Sequence, residues 1–105
     1  MTDYVLLYSG GSMPETEAAQ ADVMKAWDSW FTTLGPALKD GGNPFTPMAK
    51  SIAADGTVSD GAPGTASGYS IIQADSLDEA TGMAKGCPVI QGGASITVYE
   101  TFAVM

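Results

Sequence analysis

The chemistry open to this chain is set first by a residue type it lacks. Its 105 residues include no histidine and one cysteine, Cys87. A Ser-His-Asp or Cys-His relay needs an imidazole to take the proton of the nucleophile, so neither can form. One sulfur is also too few ligands for a Cys/His zinc site, and no metal or other cofactor is expected. Cys87 cannot close a disulfide within the chain, which agrees with a reducing compartment. It continues a stripe of Leu77, Ala80 and Ala84 at helical spacing, which favours a buried thiol over a redox-active one.

The side chains that remain able to hold a ligand are aromatic and carboxamide or carboxylate groups: Tyr8, Trp27, Asn43, Asp60, Tyr69 and Tyr99. Trp27, with Trp30, offers a flat wall for a planar molecule, although both lie on an apolar helix face where core packing is the competing role. Asn43 and Asp60 flank strand ends, and Glu100 interrupts an apolar edge. A general base needs a tuned pKa and a substrate within reach, and these residue types alone name no catalytic group. Ser9-Gly10-Gly11-Ser12 joins a strand to a helix start, where free N–H groups receive anions. The string has neither the lysine of a phosphate-binding loop nor the glycine spacing of a dinucleotide fingerprint, and Glu15 and Glu17 repel an anion, so it reads as a turn.

Charge narrows the partners further. Twelve acidic residues face four lysines, with a formal net charge of −8, so the overall field repels phosphate backbones and anionic lipid. Nucleic acid and membrane are not expected partners. The amino-terminal stretch has no basic region, its apolar run ends by Tyr8, and no segment approaches the ~18 apolar residues of a membrane span. A cytoplasmic location follows as the expectation. With 45% hydrophobic and 15% charged residues, the composition is that of one globular domain over residues 1–105.

The elements that must position these side chains are punctuated by glycine and by helix caps. Tyr4 to Tyr8 is a short apolar strand closed by Ser9-Gly10-Gly11-Ser12. Ser12 and Glu15 have capping-box spacing, with Pro14 in the first turn of the helix that follows. At 100° per residue Ala19, Val23, Ala26, Trp27, Trp30 and Leu34 share a face, which Met24 and Phe31 widen, and Gly35-Pro36 ends the helix. A second strand falls between Ala37 and Pro44. Lys50 to Ala53 and Thr57 to Ser59 flank Asp55-Gly56, a pair suited to a type I′ hairpin turn, and Asp60 to Ser67 reads as irregular loop. Tyr69 to Ala74 alternates as a strand. Ser76 and Glu79 form a second capping box for a helix bearing the Leu77, Ala80, Ala84, Cys87 stripe, and Ser95 to Phe102 is the last strand.

Two strand–helix halves with right-handed crossovers give an α+β, ferredoxin-like βαββαβ arrangement with an inserted hairpin and both helices on one sheet face. The other face is left open. Its candidate residues are Tyr4 or Val5, Tyr69 or Ser70, and Thr97, Tyr99 and Thr101, and an apolar patch of that kind marks an interface. The chain is therefore expected to pair with itself as a homodimer enclosing a cavity for a small molecule.

The order of several local strings resembles the YCII-related, or DGPF-domain, family of small bacterial proteins over nearly the whole chain. They are Gly10-Gly11-Ser12-Met13-Pro14-Glu15-Thr16, Asp40-Gly41-Gly42-Asn43-Pro44, Ser59-Asp60-Gly61, Gly68-Tyr69-Ser70, Asp75-Ser76-Leu77-Asp78-Glu79-Ala80 and Cys87-Pro88. The resemblance implies a ferredoxin-like protomer that assembles as a dimeric α/β barrel. The function expected is binding of a small organic molecule in a cavity between helices and sheet. The family's helical histidine has no counterpart here, and Asp60-Gly61 is followed by Ala62-Pro63 in place of the complete DGPF string. The alternative reading is a non-catalytic interaction or regulatory module.

Overall fold

The computed structural model describes residues 1–11, 15–46, 48–61 and 66–104. Strand β1 (Thr2–Gly10) leads to helix α1 (Glu17–Leu34), and β2 (Leu38–Asp40) follows a short 3-10 turn. The hairpin β3 (Lys50–Ile52) and β4 (Val58–Asp60) precedes β5 (Ala66–Ala74), α2 (Leu77–Ala84), a second 3-10 turn and β6 (Ala94–Glu100). The main sheet has the order β2-β5-β1-β6, with β1 antiparallel to both neighbours. This is the ferredoxin-like arrangement that the order of elements predicts, with β3 and β4 forming a separate two-stranded sheet.

Period-two alternation divides the sheet residues between two environments. Tyr4, Leu6 and Tyr8 of β1 and Ser70, Ile72 and Ala74 of β5 are buried against the helices. Val5, Leu7, Tyr69 and Ile71 point the other way and are half-buried. Tyr4 and Ser70 therefore leave the set of open-face candidates: the register pairs Tyr4 with Ile72 and Leu6 with Ser70, which places all four on the helix side. On that open face Val5 lies between Ile71 and Tyr99, and Leu7 between Tyr69 and Thr97.

Helix α1 starts later than the Ser12–Glu15 spacing predicts. Ser12 and Pro14 lie outside the described residues, while the cap is Thr16, whose Oγ1 accepts the Ala19 N–H at 3.1 Å. Thr16 is itself a strong capping residue, and Glu17 adds negative charge to the first turn. Trp30 and Leu34 are buried and Trp27 and Phe31 pack against them, but Met24 is 60% exposed, so the apolar arc is narrower than the sequence suggests. In α2, Ser76 Oγ accepts the Glu79 N–H at 3.1 Å, as its capping spacing predicts. This helix spans eight residues, too few to carry a stripe from 77 to 87. Ala80 and Ala84 are its buried residues with Met83 alongside, Leu77 is 45% exposed, and Cys87 is buried from the connection beyond the helix.

The hairpin forms where expected but with a different turn. A type I′ turn needs two residues at positive φ, and among the described residues only glycines adopt it, Gly56 at +90° included. The Gly56 N–H donates to Ala53 O at 2.9 Å, and the Ala53 N–H donates to Thr57 O at 2.8 Å. That is a right-handed turn followed by a glycine bulge, the common three-residue hairpin loop. Asp55 is held in it because its carboxylate accepts the Thr57 N–H at 2.9 Å, a bond that also lowers the pKa of the carboxyl.

Strand β2 stops at Asp40, and the chain stays close to β5 through Gly42. Gly42 has φ +72°, and a Cβ there would stand 1.6 Å from Tyr69 O. Only glycine permits this approach. Asp40 Oδ1 accepts the Gly42 N–H at 2.8 Å and closes the turn. The Pro44–Gly68 bridge then carries the chain past the end of β2 toward the hairpin.

Candidate functional site

Two of the six candidate ligand residues lie on the helix side of the main sheet and the other four do not. Tyr8 and Trp27 are on the helix side, with ring centroids 5.9 Å apart in an edge-on arrangement. Trp27 also meets Trp30 and Phe31, each at 5.6 Å, so these rings fill the layer between α1 and the sheet. Trp30 Nε1 donates to Met83 O at 3.0 Å, which joins α1 to α2.

A buried polar chain runs beneath this cluster. The Cys87 thiol donates to Tyr8 Oη at 3.6 Å, Tyr8 Oη donates to Ser70 Oγ at 2.7 Å, and Ser70 Oγ donates to Gly41 O at 2.8 Å. Among the described residues no buried side-chain polar atom lacks a partner. Burial pushes the Cys87 thiol up from its ordinary range and raises Tyr8 well above that of a phenol. Both groups are thus held neutral at pH 7, and neither is a ready nucleophile or base. The chain ties two strands, β1 and β5, to the segments that follow β2 and α2.

The other four residues lie on the open face or beyond it. Tyr69 stacks on Phe45 with centroids 5.9 Å apart, and its N–H donates to Asn43 O at 3.4 Å. Tyr99 lies two strands away on β6 and is 51% exposed. Asp60 is on β4, where its carboxylate accepts from Lys50 Nζ at 2.7 Å. Two adjoining grooves occupy the base of the hairpin. One, of about 410 Å³, is lined by Pro44, Phe45, Thr46, Met48, Ala49 and Ala66. The other, of about 510 Å³, is lined by Met48, Ala49, Lys50, Asp60 and Gly61.

Met48 and Ala49 line both grooves, so they read as one trough with an aromatic end at Phe45 and a charged end at Lys50 and Asp60. Each groove taken separately falls within ~300–1,000 Å³, and both are wide open to solvent. The Lys50–Asp60 pair is largely exposed, and such pairs contribute only ~0–1 kcal/mol, so Lys50 can be turned toward another anion at little cost. Asp60 borders the trough directly, and Asn43 and Tyr69 sit beside its aromatic end. Tyr8, Trp27 and Tyr99 stand apart from it. Phe45, Met48 and Lys50 were not legible as site residues from sequence. The one available signal was Lys50 as the sole cation between Lys39 and Lys85.

Among the described residues no cluster of His, Cys, Asp and Glu could hold a metal ion, and no helix is long and apolar enough to cross a membrane. No protein-family profile and no curated protein matches the chain. Among solved structures, the chain is similar to 5-chloro-2-hydroxyhydroquinone dehydrochlorinase (TftG) from Burkholderia phenoliruptrix AC1100, in complex with 2,5-dihydroxybenzoquinone. The TM-score is 0.54 at 19% identity, covering 94% of this chain and 93% of that one. At that identity the likeness establishes a shared fold.

Proposed function

We propose that this chain is a homodimeric, YCII-like protein that binds a small planar organic molecule in the trough at the base of the hairpin. The observation that carries this reading is the trough itself, with an aromatic wall at Phe45 and an exposed ammonium at Lys50. A flat ring stacks on the first, and an ionised hydroxyl or carboxylate pairs with the second. The layer between helices and sheet, where the sequence reading expects a ligand cavity, is occupied by the Tyr8, Trp27, Trp30 and Phe31 rings. The dehydrochlorinase of similar fold holds 2,5-dihydroxybenzoquinone, which makes hydroxylated quinoid rings the first class to test.

A thermal-shift screen over hydroxyquinones, hydroxybenzoates and short organic acids tests the proposal. A ligand at 100 times its Kd adds ~2.7 kcal/mol of apparent stability. That corresponds to a rise in Tm of about 10 °C or more for a chain of this size. Phe45→Ala and Lys50→Met should each weaken binding at least tenfold; Lys50→Met should leave the Tm of the free protein nearly unchanged, while Phe45→Ala should also lower it modestly through loss of the stack on Tyr69. A flat response across the whole library would sink the ligand reading. It would favour the non-catalytic interaction module instead, for which the exposed Phe102 and Val104 of the carboxy-terminal segment speak.

A further inference from the structure

We propose that Tyr69 is a positioning residue for the trough, fixing the Phe45 ring in the orientation on which a planar ligand stacks, an inference that rests on the ligand reading above. The two ring centroids are 5.9 Å apart and the planes lie 24° from parallel. Phe45 stays 46% exposed despite that contact, so ring surface remains for a ligand. Tyr69 itself lines neither groove. Its influence on a bound ring therefore passes through Phe45.

The backbone that carries Phe45 is zipped to β5 beyond the end of β2. Ser70 Oγ donates to Gly41 O at 2.8 Å, the Tyr69 N–H donates to Asn43 O at 3.4 Å, Pro44 bridges Gly68, and the Phe45 N–H donates to Ser67 O at 2.8 Å. These contacts step from 41 to 45 on one chain as they step from 70 to 67 on the other. The approach is close, since a Cβ at Gly68 would stand 3.1 Å from Asn43 O. At the inner end Ser70 is wholly buried, and its hydroxyl also accepts from Tyr8 Oη at 2.7 Å. A satisfied polar chain of this kind specifies one arrangement of the segments it joins. The seam thus fixes the Phe45 backbone, and the freedom left to the ring is that of its own side-chain torsions.

Tyr69 removes that freedom by stacking on the ring from within the same seam. A ligand that stacks on a mobile phenylalanine must order it first, at a cost of about two- to tenfold in Kd, whereas a ring already held against Tyr69 spares the ligand that cost. The ring of Tyr69 is what the role requires. No side-chain hydrogen bond of its hydroxyl enters the argument, so phenylalanine should serve at position 69 and an aliphatic residue should not.

Calorimetric titration with 2,5-dihydroxybenzoquinone tests this on the wild-type chain, Tyr69→Leu, Tyr69→Phe, Phe45→Ala and the double variant Tyr69→Leu/Phe45→Ala, alongside amide exchange at Phe45 in the free proteins. Leucine keeps an apolar side chain at this half-buried position, so the fold is retained. Tyr69→Leu should raise Kd about threefold or more and speed exchange of the Phe45 amide, while Tyr69→Phe should restore both to near the wild-type values. With alanine at 45, Tyr69→Leu should change Kd little, because the two residues act as one unit. An undiminished effect in that background would show that Tyr69 touches the ligand directly, which overturns the positioning role. A wild-type chain that binds the quinone while Tyr69→Leu leaves both Kd and Phe45 exchange unchanged overturns the role of Tyr69 alone. A wild-type chain that binds neither this quinone nor any other ring of the library overturns the trough reading and this inference with it.

Discussion

Burial decides what the polar side chains can do. Tyr8, Ser70 and Cys87 form a bonded chain in the core, and the low-dielectric surroundings raise both the thiol and the phenol above their ordinary ranges. Tyr4 shifts the same way, through burial and then its bond to Glu100. Each folded-state pKa is raised, so above the ordinary value the unfolded chain releases a proton that the native state retains. The stability these groups contribute is therefore complete at neutral pH and lost as pH rises through the thiol and phenol ranges. Urea denaturation should give a flat midpoint from pH 6 to 8 and a falling one above about pH 9. Cys87→Ala should remove the earliest part of that fall. A midpoint that stays level to pH 10.5 would contradict the buried chain.

At the scale of elements, the connection from β2 to β5 depends on one backbone position. Gly42 combines positive φ with contact against the Tyr69 carbonyl. An alanine there meets the left-handed penalty of ~1–2 kcal/mol, and its methyl also overlaps that oxygen. Gly42→Ala should lower the urea midpoint by more than the backbone penalty alone. Ala substitution at Gly82, where an added Cβ meets nothing within 4 Å, should be neutral or stabilising in its helix. Equal effects at the two sites would show that the close approach to β5 is not needed. Asp40-Gly41-Gly42-Asn43-Pro44 was readable as a strand breaker, but its role in holding Asn43 against Tyr69 required the strand pairing.

For the whole molecule, self-association has a characteristic salt response. Each copy carries −8, so pairing brings like charges together while the proposed contact is mainly apolar. Light scattering should give twice 10.7 kDa at micromolar concentration, with Kd falling several-fold as sodium chloride rises from 20 to 200 mM. A Kd that rises with salt would point to an interface held by ion pairs. The flat protomer gives the proposed dimer its physical motive, since a sheet covered on one side leaves Val5, Leu7, Tyr69 and Ile71 half-buried.

The sequence by itself determined the order and type of the elements, the shared apolar face of Trp27, Trp30 and Leu34, the cap at Ser76, the position of the hairpin and the exclusion of histidine chemistry. Those features are local: a period, a capping side chain or a missing residue type is present in the chain before it folds. Only the tertiary structure decided that Tyr8 faces Ser70, that Tyr4 lies on the helix side, and that Phe45, Lys50 and Asp60 border one trough. Strand register and loop path fix those relations, and both depend on pairings between residues distant in sequence. The same reason explains Cys87. Its hydrophobic spacing anticipated burial, but the bond to Tyr8, 79 positions away, exists only once β1 and the segment after α2 are packed together.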